Sequence, residues 1–224
     1  MTRDLLTDTV SNAAALDLIE SCLAFGLLQD DMLESMDIHR KTLSDPELRF
    51  PEGKLIYLWN WIANSAKPAH IGLLIGQRIN PSAKGLLASW VSQSGSIGGA
   101  FGIFRENIAL MNPSESWQMQ DDQDLCRLIF TLQKNKAYPD IAVERSMSAM
   151  LAWARLLSGS SFPIIEACFS FPEPPYRAAF LDIFGPNITF DAKANELVFK
   201  RDYLDLPVIS SNSFLESLMK EKAQ

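Results

Sequence analysis

The chain predicts an α+β fold: N-terminal helices, followed by a mostly antiparallel sheet of about five strands with two interspersed helices. Three observations carry that prediction. Apolar residues recur at helical spacing through the first hundred positions, the period drops to two beyond residue 108, and the alternating segments there are interrupted by two helical stripes, each stopped at a glycine.

The first helix is read over residues 11–25, SNAAALDLIESCLAF, with Ser11 or Asn12 as cap, Leu16, Ile19 and Leu23 on one stripe, and Gly26 as its end. A short helix over residues 30–36 follows, with acids in its first turn where they suit the helix dipole. DPELRFPEG reads as a turn-rich approach to the helix KLIYLWNWIANSA, in which Leu55, Leu58, Trp59 and Ile62 share a face. HIGLLIGQRI gives another short helix, closed by Asn80-Pro81, and its Gly72 and Gly76 are spaced for a close helix contact in the core.

Alternation then takes over. In LCRLIFTL, residues 125–132, Cys126, Leu128, Phe130 and Leu132 face one side, and a strand over residues 115–120 is expected to pair with it through the acidic turn of Asp121, Asp122 and Asp124. A helical stripe of Val143, Met147, Met150, Leu151, Ala154 and Leu157 stops at Ser158-Gly159. IIEACFSF alternates again, with Ile165, Ala167, Phe169 and Phe171 expected inside. Pro174-Pro175 opens a helix with Tyr176, Ala179, Phe180, Ile183 and Phe184 as its buried stripe, Gly185-Pro186 closes it, and NITFDAKANELVFKR reads as two short strands about a turn. The tail leaves the core at Pro207, crosses a serine-rich joint, and starts a helix with a capping box from Ser213 to Glu216. Phe214, Leu215, Leu218 and Met219 form its apolar side.

Composition excludes several function classes. With 20 basic against 27 acidic residues, net charge −7, and no basic stripe, the chain is not expected to hold nucleic acid by phosphate neutralisation. No apolar run approaches a membrane span and the N-terminus lacks a secretory pattern, so the expected compartment is the cytoplasm, with no membrane partner. Cys22, Cys126 and Cys168 are odd in number and sit in apolar segments, as buried reduced thiols do.

The stretch WVSQSGSIGGAFGIFREN, residues 90–107, raises the question of a phosphate cradle. Its glycines lack the one-three-six spacing of a dinucleotide fingerprint, and Gly102 is followed by Ile103-Phe104 rather than lysine and a hydroxyl residue. A helix from about residue 97 to 110, capped by Ser94 or Ser96, with glycines allowing close packing, accounts for it instead. His39 and His70 form neither a metal pair nor a triad, and the acidic turn lacks a calcium loop's spacing, so no catalytic residue, metal or cofactor is assigned. Five tryptophans fit core packing, and some fit a ligand cavity.

Taken in order, GLLQDDMLESMDIHRKTLSDPELRFPEGKLIYLWNWIA, PAHIGLLIGQRI, SQSGSIGGAFGIFREN and FDAKANELVFKRDYLDLP resemble the N-terminal ligand-sensing, "arabinose-binding"-type domain of AraC-family transcriptional regulators. The similarity is to the branch that includes ornithine- and arginine-utilisation regulators. It rests on Asp45-Pro46 with Arg49 and Pro51, Leu58-Trp59, Gly72-Leu73 with Gly76, the serine-bounded loop before Gly98, and Leu204-Asp205-Leu206-Pro207, and spans roughly residues 20–208. Gly98-Gly99-Ala100 departs from the family's usual glycine, acid and alanine.

The resemblance implies an effector-sensing and dimerisation domain over residues 1–208, and a linker helix over 209–224 leading to a C-terminal helix-turn-helix DNA-binding domain absent from this sequence. The chain is then expected to be a piece of a longer regulator rather than a stand-alone sensor. The implied partners are a small-molecule effector, a possible second copy, and DNA only through the absent domain. An effector is expected in a mostly apolar pocket between the N-terminal helices and the sheet, at Trp59, His70, Trp90, Gln93, Arg105 and Trp153. Arg105 is the expected anchor for a carboxylate, or else a surface partner of Glu106. A ligand-free dimerisation or protein-interaction module is the alternative, and an enzyme centred on Glu166 or His70 is a third.

Overall fold

In a computed structural model of the chain, which describes residues 8–45, 48–65, 67–79 and 85–223, the N-terminal third is helical around one small ribbon. Strand β1 (Thr9–Ser11) pairs antiparallel with β2 (Arg49–Pro51). Between them lie α1 (Asn12–Ala24), α2 (Asp30–Ser35) and α3 (Arg40–Leu43); α4 (Glu52–Ser65) and α5 (Ile71–Gln77) follow. Ser11 is the cap of α1, its hydroxyl accepting from the Ala14 N–H at 3.1 Å. The face that α1 buries is Ala15, Leu18, Ile19 and Cys22; Leu16 and Leu23 of the expected stripe are only partly buried at its flank. On α4 the expected Leu55, Leu58, Trp59 and Ile62 are all buried. Neither α3 nor the β1–β2 ribbon is anticipated by local pattern. Pro46 and Asn80-Pro81 lie outside the described residues.

The segment about the glycine-rich stretch forms α6 (Leu86–Val91) and α7 (Ile97–Asn107), which runs into a 3-10 turn over residues 108–110. Ser96 is the cap, accepting from the Gly99 N–H at 3.1 Å. Gly98 lies under the chain's last core segment: a methyl there would sit 3.1 Å from the Leu204 carbonyl oxygen. Packing and capping therefore explain Gly98 and Gly99 without a phosphate, while a methyl at Gly95 or Gly102 would meet nothing within 4 Å.

Strands β3 (Glu115–Asp121) and β4 (Leu125–Leu132) form the expected hairpin, with Trp117 opposite Phe130. At the turn, Asp122 Oδ1 accepts from the Asp124 and Leu125 N–H groups, and those backbone donors hold its carboxyl below the usual range. Helix α8 (Asp140–Ser158) ends at Gly159, which takes a left-handed φ of 63°. Then come β5 (Glu166–Cys168), α9 (Arg177–Phe184), β6 (Ile188–Thr189) and β7 (Asn195–Lys200). The sheet order is β3-β4-β7-β5-β6, antiparallel throughout except for β5 and β6, which run parallel across the α9 connection. So β6 and β7 are not a hairpin as the local reading suggests, because β5 lies between them. On β7, Leu197, Val198 and Phe199 are all buried, the pattern of a central strand covered on both faces. Ile165 is 38 % exposed, so the inward row of that segment is Ala167, Phe169 and Phe171 only.

Two apolar clusters result. One joins the sheet to α7, the C-terminal part of α8 and α9; the other unites α1, α4 and the ribbon with Ile141 and Ala142 at the N-terminal end of α8. Helix α5 lies at the seam, with Leu73 in the first cluster and Ile71 and Ile75 in the second. Its contact with α8 is possible because Gly72 and Gly76 lack side chains, as the spacing predicts. A methyl at Gly76 would meet the Arg145 carbonyl oxygen at 2.5 Å and Ser148 Cβ at 2.7 Å.

The chain leaves the core one residue later than expected, after buried Val208. Helix α10 (Ser213–Ala223) is capped by Asn212, not Ser213: Asn212 Oδ1 accepts from the Phe214 and Leu215 N–H groups, each at 3.1 Å. Only Met219 and Ala223 pack against the core, and Phe214 remains 69 % exposed.

Candidate functional site

Between the two clusters lies a cavity of roughly 130 Å3. Its walls come from α1, α4 and α5 on one side, from α6, α7 and the β3–β4 hairpin on the other, and from α8 along its length. For scale, an engineered apolar cavity of about 150 Å3 holds benzene. The position follows from the seam: α8 serves both clusters, and side chains there are shared by neither core fully. Most of the lining is apolar, with Trp59, Phe101, Phe104, Trp117, Met150 and Trp153 supplying the large surfaces. Trp117 is 4 % exposed, and its indole Nε1 has no hydrogen-bond partner among the described residues. Leaving such a donor unsatisfied costs about 1–3 kcal/mol.

Polar groups gather along the same cavity. Arg145 of α8 pairs with Asp17 of α1, Nη2 to Oδ2, at 2.6 Å. Burial alone would lower the Arg145 pKa, but Asp17 and Glu115 outweigh it and hold the guanidinium above its ordinary value. Glu115, at the start of β3, has its carboxyl pushed up by burial, against the opposing pull of Arg145 and the Asn112 amide, which donates to its Oε1 at 3.3 Å. Asn112 also donates to the Tyr138 hydroxyl at 3.2 Å, and that hydroxyl donates to Glu52 Oε1 at 2.9 Å. Burial, first of all, raises the Tyr138 pKa, so the phenol stays protonated. Glu52 Oε2 is met by Lys136 Nζ at 2.8 Å. Arg78, just after α5, donates through Nη1 to Ser21 Oγ at 3.3 Å and lines the cavity with no acidic partner within ion-pair distance among the described residues.

Of the six residues expected at a ligand site, Trp59 and Trp153 line this cavity together. The other four are placed elsewhere. Trp90 is buried in the sheet-side cluster, its Nε1 without a hydrogen-bond partner among the described residues. His70 sits at the N-terminal boundary of α5 without a side-chain capping hydrogen bond and lies near the Tyr176 ring, centroids 6.0 Å apart. Gln93 offers its carbonyl oxygen to the Asn212 N–H at 3.3 Å, holding the tail. Arg105 lies half exposed, 3.7 Å from Glu106, in the surface arrangement that sequence reading offered as its other role. Sequence reasoning passed over Asp17, Arg78, Glu115, Tyr138 and Arg145, and weighed Trp117 only as one of five tryptophans that fit a core or a cavity. The clearest available signal was Glu144-Arg145, two charges within an otherwise apolar helical stripe.

Nothing in this arrangement resembles a nucleophilic centre. Burial raises the Cys22 and Cys126 thiols to about 12 and that of Cys168, which is only half-buried, to about 11. Among the described residues no group of three His, Cys, Asp or Glu side chains is placed to hold a metal ion. No helix among them is long and apolar enough to cross a membrane.

Known proteins share the family pattern and the fold of this chain. Residues 26–208 match the family described as the arabinose-binding domain of AraC transcription regulator, N-terminal. The chain is 24 % identical over 208 residues to the ornithine utilization regulator of Pseudomonas aeruginosa, an alignment covering 87 % of this chain and 61 % of that protein. The crystal structure of the transcriptional regulator CdpR from Pseudomonas aeruginosa has a similar fold, with a TM-score of 0.64 at 17 % identity over 85 % of this chain and 59 % of that one. The chain thus spans about three fifths of the length of these relatives.

Proposed function

Given that the chain belongs to the family of N-terminal arabinose-binding domains of AraC transcription regulators, we propose that it is an effector-binding regulatory domain whose cavity receives a small molecule and whose tail carries the signal onward. The observation that carries this reading is that the helices walling the cavity also hold the tail. Ala88 and Val91 of α6 and Leu157 of α8 line the cavity. The Leu157 carbonyl accepts from the Ile209 N–H at 2.9 Å; just past α6, the Ser92 carbonyl accepts from Ser210 Oγ at 2.6 Å. A ligand that favours one arrangement of α6 against α8 therefore changes how residues 209–223 are held, by no more free energy than its differential affinity for the two arrangements.

In this reading residues 1–208 are the sensing unit and 209–224 the link to a helix-turn-helix DNA-binding domain of the full-length regulator, in the cytoplasm. Ornithine, named for one relative, is a first compound to titrate, alongside other small metabolites. Hydrogen exchange at residues 209–223 with and without a bound ligand tests the coupling. Altered protection supports it, and tight binding that leaves the tail's exchange unchanged refutes it.

Exposed Ile209, Phe214 and Leu218, at 68, 69 and 42 %, favour a second reading, in which α10 joins two copies of the chain without any effector. Sedimentation of the chain and of a Phe214→Ser, Leu218→Ser variant separates the two: a dimer lost in the variant, together with silent ligand titrations, favours the second.

A further inference from the structure

A charge inventory of the cavity points past a generic effector to a chemical class. Among the described residues, four that carry formal charges line it: Asp17, Arg78, Glu115 and Arg145. Asp17 and Arg145 satisfy one another at 2.6 Å. Glu115 is engaged by Asn112 and sits beside the Arg145 charge, and burial biases it toward its neutral form. Among the described residues Arg78 is left as a cation with no acidic partner, its guanidinium donating to a neutral hydroxyl, Ser21 Oγ, at 3.3 Å. A guanidinium facing a mostly apolar cavity gains from an anion it can grip bidentately, and carboxylate is the geometry its fork matches. An ammonium group would find, among the described lining residues, only acids that already have partners, Asp17 and Glu115.

Resting on the reading of this cavity as the effector site, we propose that the effector is a small monocarboxylate with a compact apolar body, its carboxylate on Arg78 and its body against the tryptophans. The volume of roughly 130 Å3 limits that body to about the size of a single aromatic ring. Trp59, Trp117 and Trp153 are among the lining residues, aromatic surfaces of the kind such a ring packs on. This moves the carboxylate anchor from Arg105, which lies beside Glu106 away from the cavity, to the end of α5.

Three probes with one body and different charge test it on the full 224-residue chain: phenylacetate, phenylacetamide and 2-phenylethylamine, titrated by calorimetry at pH 7. Phenylacetate is expected to bind at least tenfold more tightly than the amide, and the amine more weakly than either. In Arg78→Gln the preference of acid over amide falls to within threefold while amide binding persists, which also shows that the variant is folded; Arg78→Lys restores part of the preference. Equal binding of acid and amide in the unaltered chain, or tightest binding of the amine, overturns the carboxylate class and leaves the cavity as an effector site. If none of the three binds, the cavity reading falls with it. A preference for acid that survives Arg78→Gln overturns the anchor.

Discussion

Replacing Gly76 by alanine measures directly how tightly the seam between the two halves is closed. The added methyl would stand 2.5 Å from the Arg145 carbonyl oxygen, 2.7 Å from Ser148 Cβ and 2.9 Å from the Ala149 nitrogen. Ordinary contact is about 3.5–4.0 Å, so α5 and α8 must part by about 1 Å, and two of the three atoms belong to helical main chain that cannot rotate away. Overpacking of this kind costs about 1–3 kcal/mol. Alanine also raises helix propensity, by about 1 kcal/mol, so the comparison is made against Gly102→Ala in α7, where a methyl meets nothing within 4 Å. Both variants share the propensity gain, and their difference isolates the clash. For a chain of this size each kcal/mol moves Tm by about 2–4 °C, so Gly76→Ala is expected to melt about 2–12 °C below Gly102→Ala, which itself melts slightly above the unaltered protein. Differential scanning calorimetry reads both. Equal melting of the two variants would refute the claim that glycine at this seam is a packing requirement.

Three further outcomes follow from individual contacts. Glu144 is buried on α8 with Oε1 accepting from the Tyr176 hydroxyl at 2.7 Å, and burial, with nearby Asp140 adding to it, raises its pKa from 4.5 to about 7. The folded state therefore binds this proton more tightly, a contribution present in full below about pH 4.5 and lost as pH rises to 7, worth about 3 kcal/mol at most; Glu144→Gln keeps the acceptor, cannot ionise, and should flatten the fall of Tm between pH 5 and 8, whereas parallel curves would contradict this. Ser96→Ala removes the hydroxyl that accepts from the Gly99 N–H and should lower stability by about 1 kcal/mol in urea titrations, with no change expected if the cap were idle. Asp17→Ala leaves Arg145 without its partner at the cavity wall and should cost about 3 kcal/mol, little altered by 1 M salt; a loss under 1 kcal/mol that salt abolishes would mark the pair as a surface one.

Much of the element list was legible from periodicity alone, and the exceptions share a cause. The α8 stripe of Met147, Met150, Leu151, Ala154 and Leu157 is buried as its spacing predicts. By contrast α6, only six residues long and without the first-turn acids that mark the equally short α2, carries too little pattern to be seen, although Ala88 and Val91 make it part of the cavity wall. The strands β1 and β2 pair across some forty residues, and each is three residues long. The tail's apolar side was visible, but which part of it docks was not: Met219 and Ala223 pack inward and Phe214 does not. At the site, tryptophans were legible as amphipathic surfaces, so Trp59 and Trp153 were named; the charged groups beside them were not.

Local order of apolar and polar residues determined, without any coordinates, that a helical N-terminal part precedes the main sheet, that Gly72 and Gly76 serve a close contact, and that the glycine-rich stretch starts a helix. Those properties depend on neighbours within one or two turns. Tertiary structure alone decided that β5 inserts between β7 and β6, and that Asp17, Arg78 and Arg145 meet at one cavity. These three stand on or beside different helices, α1, α5 and α8, and a charge acquires or lacks a partner only when those helices pack. Arg78 and Arg105 are the same residue type in the sequence; the packing of the helices around each leaves one on the cavity wall and the other half exposed beside an acid.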